Sequence, residues 1–159
     1  MNDLATVAPM FIEMAHRIVW CTVATVDRTG RPRTRILHPV WEWDGAALTG
    51  WIATSPQSVK GKHLALTAAV SLTYWTPTHD VCTADCDTIW TNDVASKEVG
   101  WDRFKNAPTP VGYDPSIIAR WTSPEVDAFG ILRLDPVALR VMPGSILMTG
   151  KGDILTWRR

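Results

Sequence analysis

The sequence carries no excess charge of either sign, with sixteen Lys and Arg against sixteen Asp and Glu. A surface without a global field does not hold nucleic acid or an anionic membrane, so any anion site must be local. Cysteine is scarce and odd in number, Cys21, Cys82 and Cys86, and no CxxC pair occurs. That excludes a disulfide framework and a zinc ribbon and leaves reduced packing thiols. No apolar run reaches bilayer length, and the first twenty residues carry acidic side chains but neither a basic n-region nor a small-residue cleavage site. A cytoplasmic protein is expected. Internal repeats, low-complexity tracts and an HExxH pair are all missing. Gly150-Lys151-Gly152 lacks the rest of a Walker motif and reads as a hairpin turn. The length suits one domain, residues 1–159, with a substantial core.

What the chain has in excess is tryptophan, nine in all. Indoles are rigid and amphipathic, so they favour core edges, subunit interfaces and planar ligands. Apolar spacing predicts a helix over 8–19, with Pro9 near its start. Strands are expected over 20–26, 33–43 and 48–54, the second of them interrupted by Pro39. Helical spacing returns over 55–66, weakened by Gly61, and strands follow over 69–75 and 81–90. A helix over 94–107 leads into a Pro-rich connection with a short helix near 115–121. Four short strands are expected at 129–134, 138–142, 146–149 and 154–157. Hairpin linkage without regular strand-helix alternation argues for a mostly β, antiparallel barrel with peripheral helices.

The stretch from Arg31 to Leu66 concentrates the candidate chemistry. Arg33 and Arg35 lie two apart on one strand and so share a face. The next strand, running antiparallel, returns Ala53, Thr54 and Ser55 to the same end. Ser58 and Lys60 then open a helix beside them. Two cations and two hydroxyls converging on one point suit a phosphate, with Arg35 and Lys60 as charge-assisted donors and Thr54 and Ser58 as hydroxyl donors. An exposed basic hairpin next to an ordinary helix is the competing reading.

The pattern Thr22-Val23-Ala24-Thr25, Gly30-Arg31-Pro32-Arg33-Thr34-Arg35, Thr54-xxx-Ser58-x-Lys60 and a strand over Val70 to Trp75 resembles the FMN-binding split barrels related to pyridoxamine 5′-phosphate oxidase. The resemblance implies a homodimeric split β-barrel with FMN at the subunit interface. It implies that Arg35 and Lys60 hold the FMN phosphate with Ser58 and Thr54, while the backbone of Ile36, Leu37 and Ala53 lines the isoalloxazine. It further implies a flavin-dependent oxidoreductase acting on a small molecule. The chain departs from the oxidases near its C-terminus, where Ile146 to Lys151 replaces their Glu-aromatic-Trp-Gln and Arg-x-His segments. Asp80-Val81 stands for their Arg-Gln pair, and Val40 for a lysine. Vitamin B6 is therefore not the expected substrate.

Two alternatives come with the family. One is a deazaflavin-dependent reductase; the other is a non-catalytic carrier of flavin, haem or another tetrapyrrole, with His38 or His63 as candidate iron ligands. His38 follows the ring-lining strand and could offer a hydrogen bond near a flavin. Trp41, Trp51 and Trp157 are candidates for a substrate pocket. The aspartates at 80, 85, 87 and 93 read as a solvated face rather than a metal site, and Cys82 and Cys86 as packing residues.

Overall fold

A computed structural model describes all 159 residues. The elements are, in order, α1 (Leu4–Ile18), β1 (Cys21–Val26), β2 (Pro32–Leu37), β3 (Val40–Trp43), β4 (Leu48–Thr54), α2 (Val59–Leu64), β5 (Ala69–Trp75), β6 (Val81–Thr91), α3 (Val94–Asn106), a 3-10 turn (Pro115–Ile117), β7 (Gly130–Met142), α4 (Gly144–Thr149) and β8 (Leu155–Arg158). The strands form one antiparallel sheet in the order β2-β1-β5-β6-β7-β4-β3, with β8 added to β7. The two ends of that path, β2 and β3, are joined by His38 and Pro39 alone. Three peptide links reach at most ~11 Å. The sheet therefore curls until its ends meet at that corner.

Proline decides where that corner falls. A strand over 33–43 was expected to carry Pro39 as an irregularity, but the chain breaks there into two strands with different neighbours. The expected strands at 129–134 and 138–142 are, conversely, one strand, β7. Its register against β6 shifts between Asp85, opposite Ala138, and Cys86, opposite Pro136, so that Val137 is the extra residue of a bulge. Beyond the bulge β7 leaves β4 and pairs with β8 instead.

Residues 146–149 form part of helix α4, not a strand. The apolar run Ile146-Leu147-Met148 is too short for its period to discriminate, and a carboxylate oxygen of Asp80 accepts from Gly144 N at 2.7 Å, anchoring the first turn. Helix α1 starts earlier than the apolar spacing suggested. Asp3 caps it by accepting from Thr6 N at 2.7 Å, and Pro9 lies inside the helix on its exposed side. Its buried face, Val7, Ala8, Phe11, Met14 and Ala15, fills the space inside the curled sheet.

Two cores result. The larger lies between α1 and the inward residues of the sheet, including all three cysteines. Strand β6 alternates cleanly, turning Cys82, Ala84 and Cys86 inward and Asp85 and Asp87 out to solvent, as expected of packing thiols and a solvated acidic face. Phe11 meets Trp41 edge-on, with ring centroids 4.9 Å apart, and Trp41 Nε1 donates to the Tyr74 hydroxyl at 2.8 Å. Tyr74 is wholly buried, and burial holds its hydroxyl protonated. The smaller core packs α3 and the 111–129 connection against β4 and the start of β7, through Ala53, Phe104, Val111, Trp121, Phe129 and Ile131.

Replacing Tyr74 by Phe leaves the Trp41 indole N–H buried without an acceptor. Urea unfolding of Tyr74→Phe is expected to show a loss of about 1–3 kcal/mol. An unchanged midpoint would mean that this bond contributes nothing.

Candidate functional site

Strands β2 and β4 lie on the two sides of the closing corner, and the expected site residues are carried on them and on the turn that follows. Thr54 ends β4, and the chain turns through Ser55-Pro56-Gln57 to Ser58, the N-cap of α2. Gly61 is required by this turn. A Cβ there would lie 1.9 Å from the Pro56 carbonyl oxygen, so the glycine that weakens the helix is what lets the turn fold onto it. Helix α2 is accordingly shorter than expected, six residues.

Arg35 sits half-buried on β2, where its Nη1 donates to the Val23 carbonyl at 3.0 Å. Lys60 Nζ, also half-buried, donates to Ser58 Oγ at 3.0 Å. Burial lowers the pKa of both groups, and the Arg35 charge lowers Lys60 further. Neither cation has a carboxylate within ion-pair distance, whereas six other basic side chains do. Two cations held close together and partly out of water without a carboxylate partner would be stabilised by an anion. Arg33, expected beside Arg35, is instead taken up by Asp27, with Nε to Oδ2 at 3.1 Å. The Asp27 carboxylate also accepts from the Thr29 and Arg31 backbone N–H groups, which ties Arg33 into the β1–β2 turn.

Ser58 is already engaged. Its hydroxyl donates to the Ser55 carbonyl at 2.7 Å and accepts from Lys60, so it reaches an incoming anion as a donor only after rotating. Its present work is to cap α2 and to hold Lys60.

Ile36, next to Arg35 on β2, and Thr54, which leads into the turn before Lys60, line a cavity of about 420 Å³ that neither cation itself lines. Ile36, Leu37 and His38 form one wall and Ala53 and Thr54 another, which unites the three positions expected to line a ring with the hydroxyl expected at the phosphate. The third wall, from Pro110 to Trp121, was not foreseen as part of any site. It comes from the Pro-rich connection, folded back so that Trp121 Nε1 donates to Ala128 O at 3.0 Å. Trp41, Trp51 and Trp157 do not line this cavity. Trp41 is in the main core, Trp51 stacks under the Arg103 guanidinium at 4.0 Å, and Trp157 packs on the larger core. Trp20 and Trp121 are the indoles that do line it.

Trp20 owes its place to strain. Val19, at φ 72° and ψ −63°, makes a γ-turn in which Trp20 N donates to Ile18 O at 2.9 Å. A β-branched residue in that conformation stores on the order of 1–3 kcal/mol. His38 lies between Trp20 and Tyr113, with ring centroids 5.0 and 5.1 Å away. Its Nε2 is buried and has no hydrogen-bond partner. His63 is different: it is buried on α2 against β1, with Nδ1 2.8 Å from Thr25 Oγ1, and does not line the cavity.

With this geometry in hand, the chain was compared with known proteins. No protein-family model matches it, and no curated protein matches it in sequence. Solved structures do match. A Clostridium acetobutylicum protein related to general stress protein 26, of the pyridoxinephosphate oxidase family, superposes with a TM-score of 0.71 over 99% of this chain and 96% of its own, at 14% identity. A pyridoxamine 5′-phosphate oxidase-related, FMN-binding protein of Nostoc punctiforme gives 0.69 over 100% and 92%, also at 14% identity. The fold is that of the pyridoxamine phosphate oxidase-like proteins. A haem-binding protein from Mycobacterium smegmatis shares the pyridoxamine phosphate oxidase-like fold at a TM-score of 0.65, covering 99% of this chain and 59% of that one at 14% identity. One fold thus carries two cofactor types, and the site's own chemistry has to distinguish them.

The unpaired Arg35 and Lys60 give a direct expectation. With no ligand, Lys60 is charged at a cost in the folded state, and that cost is recovered as pH rises from its lowered folded pKa toward 10.5. Lys60→Met should raise the melting midpoint of the ligand-free protein at neutral pH and abolish the rise that inorganic phosphate gives the wild type. A lower midpoint with phosphate stabilisation retained would contradict this.

Proposed function

We propose that the protein binds FMN as a homodimeric split β-barrel and works as a flavin-dependent oxidoreductase on a small molecule other than pyridoxamine phosphate. One observation carries the reading: two half-buried cations without a counter-charge, Arg35 and Lys60, belong to the same two segments whose Ile36, Leu37 and Thr54 line a ring-sized cavity. A phosphate monoester attached to a flat heterocycle satisfies both at once. The likeness to an FMN-binding protein in fold supports this choice of anion.

In this reading Arg35 turns its remaining N–H groups, and Lys60 its ammonium, to the phosphate, while Ser58 holds Lys60 in place. Thr54 meets the same group from the end of β4. The ring lies along the backbone of Ile36, Leu37 and Ala53, which line the cavity. When bound, FMN supplies hydride and electron transfer by its own chemistry. The chain contributes binding, orientation and an apolar wall that excludes water. Asp80 does not take the part of the oxidases' ring-recognising Arg-Gln pair, since its carboxylate is committed to Arg17 at 3.1 Å and to Gly144 N. That supports a substrate other than the vitamin.

A second copy of the chain supplies the missing side of the site. The outward face of β2, β1 and β5 carries Ile36, Thr22 and Thr73 in one row. In the next row, in the same register, Trp20 and Trp75 are more than half exposed. An uncharged face with two exposed indoles and an isoleucine, continuous with the cavity rim, is the surface a partner protomer would cover.

Sedimentation followed at the flavin absorbance tests both parts. The expected result is one coloured species of dimer mass, and Arg35→Ala or Lys60→Ala should weaken FMN binding at least about tenfold each without changing the mass. A colourless protein, or one that takes up haem or a deazaflavin in preference to FMN, would overturn the cofactor; a coloured monomer would overturn the interface.

A further inference from the structure

We infer that the hydrogen bond from the Trp41 backbone to His16 is a latch that acid releases, and that its release loosens a ligand in the cavity beside β2. The latch itself stands on geometry; its effect on a flavin rests on the FMN reading. Strand β3 ends the sheet path, so one of its edges has no neighbouring strand. An N–H group on such an edge needs another acceptor. Here the acceptor is the imidazole of His16, in the last turn of α1, with Trp41 N donating to Nε2 at 2.9 Å. An imidazole nitrogen accepts only while it carries no hydrogen, and in the protonated ring both nitrogens are donors. The bond therefore belongs to neutral His16 and is broken when the ring takes up a proton.

The latch acts on the corner that closes the sheet. Only Pro39 and Val40 separate Trp41 from His38, which lines the cavity with Leu37. The Trp41 indole is fixed separately, by Tyr74 and Phe11, so what His16 ties to α1 is the backbone of β3 just past the corner. Burial lowers the His16 pKa from 6.5, and the neighbouring His38 lowers it further. On α1 itself Glu13 and Arg17 pair with each other, and Arg17 also with Asp80 of the β5–β6 turn. Glu42 of β3 is taken up by Arg103 of α3, and Asp102 of α3 lines the same groove as His16 without reversing the effect of burial. Under α1, burial keeps Tyr74 and Cys82 protonated, and Arg133 and Asp135 of β7 pair with each other near Leu4, at the opposite end of the helix. With the folded pKa below the unfolded one, the stability given by neutral His16 is full above pH 6.5 and is lost as pH falls through the lowered value.

Nuclear magnetic resonance of the nitrogen-15-labelled protein reads the latch directly, as a scalar coupling between the Trp41 amide nitrogen and His16 Nε2. The coupling is expected at pH 7.5 and should vanish below pH 6.5, as His16 takes up a proton in the folded protein. A hydrogen on Nε2 at pH 7.5, a coupling that survives protonation of the ring, or acid unfolding with the ring still neutral would overturn the latch. Saturating FMN should lower the pH at which the coupling is lost by about one unit, the reciprocal of an affinity about tenfold weaker for the protonated protein. His16→Gln, whose side-chain carbonyl does not titrate, should show about tenfold less acid weakening of FMN than the wild type, since protonation of the phosphate is common to both. No shift of the wild-type titration by bound FMN, or equal acid weakening in the two proteins, would overturn the link to the cavity; the first needs no variant, so a His16→Gln protein that fails to fold leaves the link decided. Failure of FMN to bind, with the coupling titrating as expected, would remove the cofactor reading and leave the latch standing.

Discussion

The link of two residues between Leu37 and Val40 is the constraint on which the rest of the molecule depends. It joins strands at opposite ends of the sheet path, so the sheet cannot lie flat. Curling gives an interior, which α1 fills with Phe11, Met14 and their neighbours. It also brings β2 close to β4. The space between them is the cavity, and the residue at the corner is His38. Pro39 cannot donate to a ladder and so ends β2 where it does. Fold closure and site geometry therefore share one cause.

The candidate site depends on an imbalance of charge rather than on a constellation of catalytic side chains. Several basic residues here are neutralised locally: Arg33 by Asp27, Arg17 by Glu13 and Asp80, Arg103 by Glu42, Arg133 by Asp135. Exposed pairs of this kind contribute little to stability. Arg35 and Lys60 gain no such partner and are partly removed from water, which the fold tolerates because their neighbours supply a carbonyl and a hydroxyl. A site that is costly when empty is stabilised when filled, by linkage.

Much of this was legible before the structure. The hairpins, the antiparallel sheet and the helix at 94–107 follow from period and punctuation; of the short helix expected near 115–121 only a 3-10 turn at Pro115–Ile117 forms. What was not legible depended on long-range partners. Nothing local tells Arg33, which finds Asp27, from Arg35, which does not. Of the nine indoles, the two at the cavity are placed there by a γ-turn at Val19 and by the fold-back of the 111–129 connection, neither of which leaves a periodic trace. Ile146 to Thr149 was misread as a strand because four residues cannot display a period, and the Asp80 contact that anchors the helix comes from far along the chain.

The fold is shared by flavin and haem proteins, so the central claim is the proposal that Arg35 and Lys60 hold a phosphate, not the fold itself. Calorimetric titration of the purified protein with FMN and with riboflavin, which has the same ring and no phosphate, tests it most directly. The account predicts that FMN binds at least about a hundredfold more tightly, the worth of two charge-assisted contacts, with the difference shrinking as salt is raised. Equal affinity for the two flavins would contradict it.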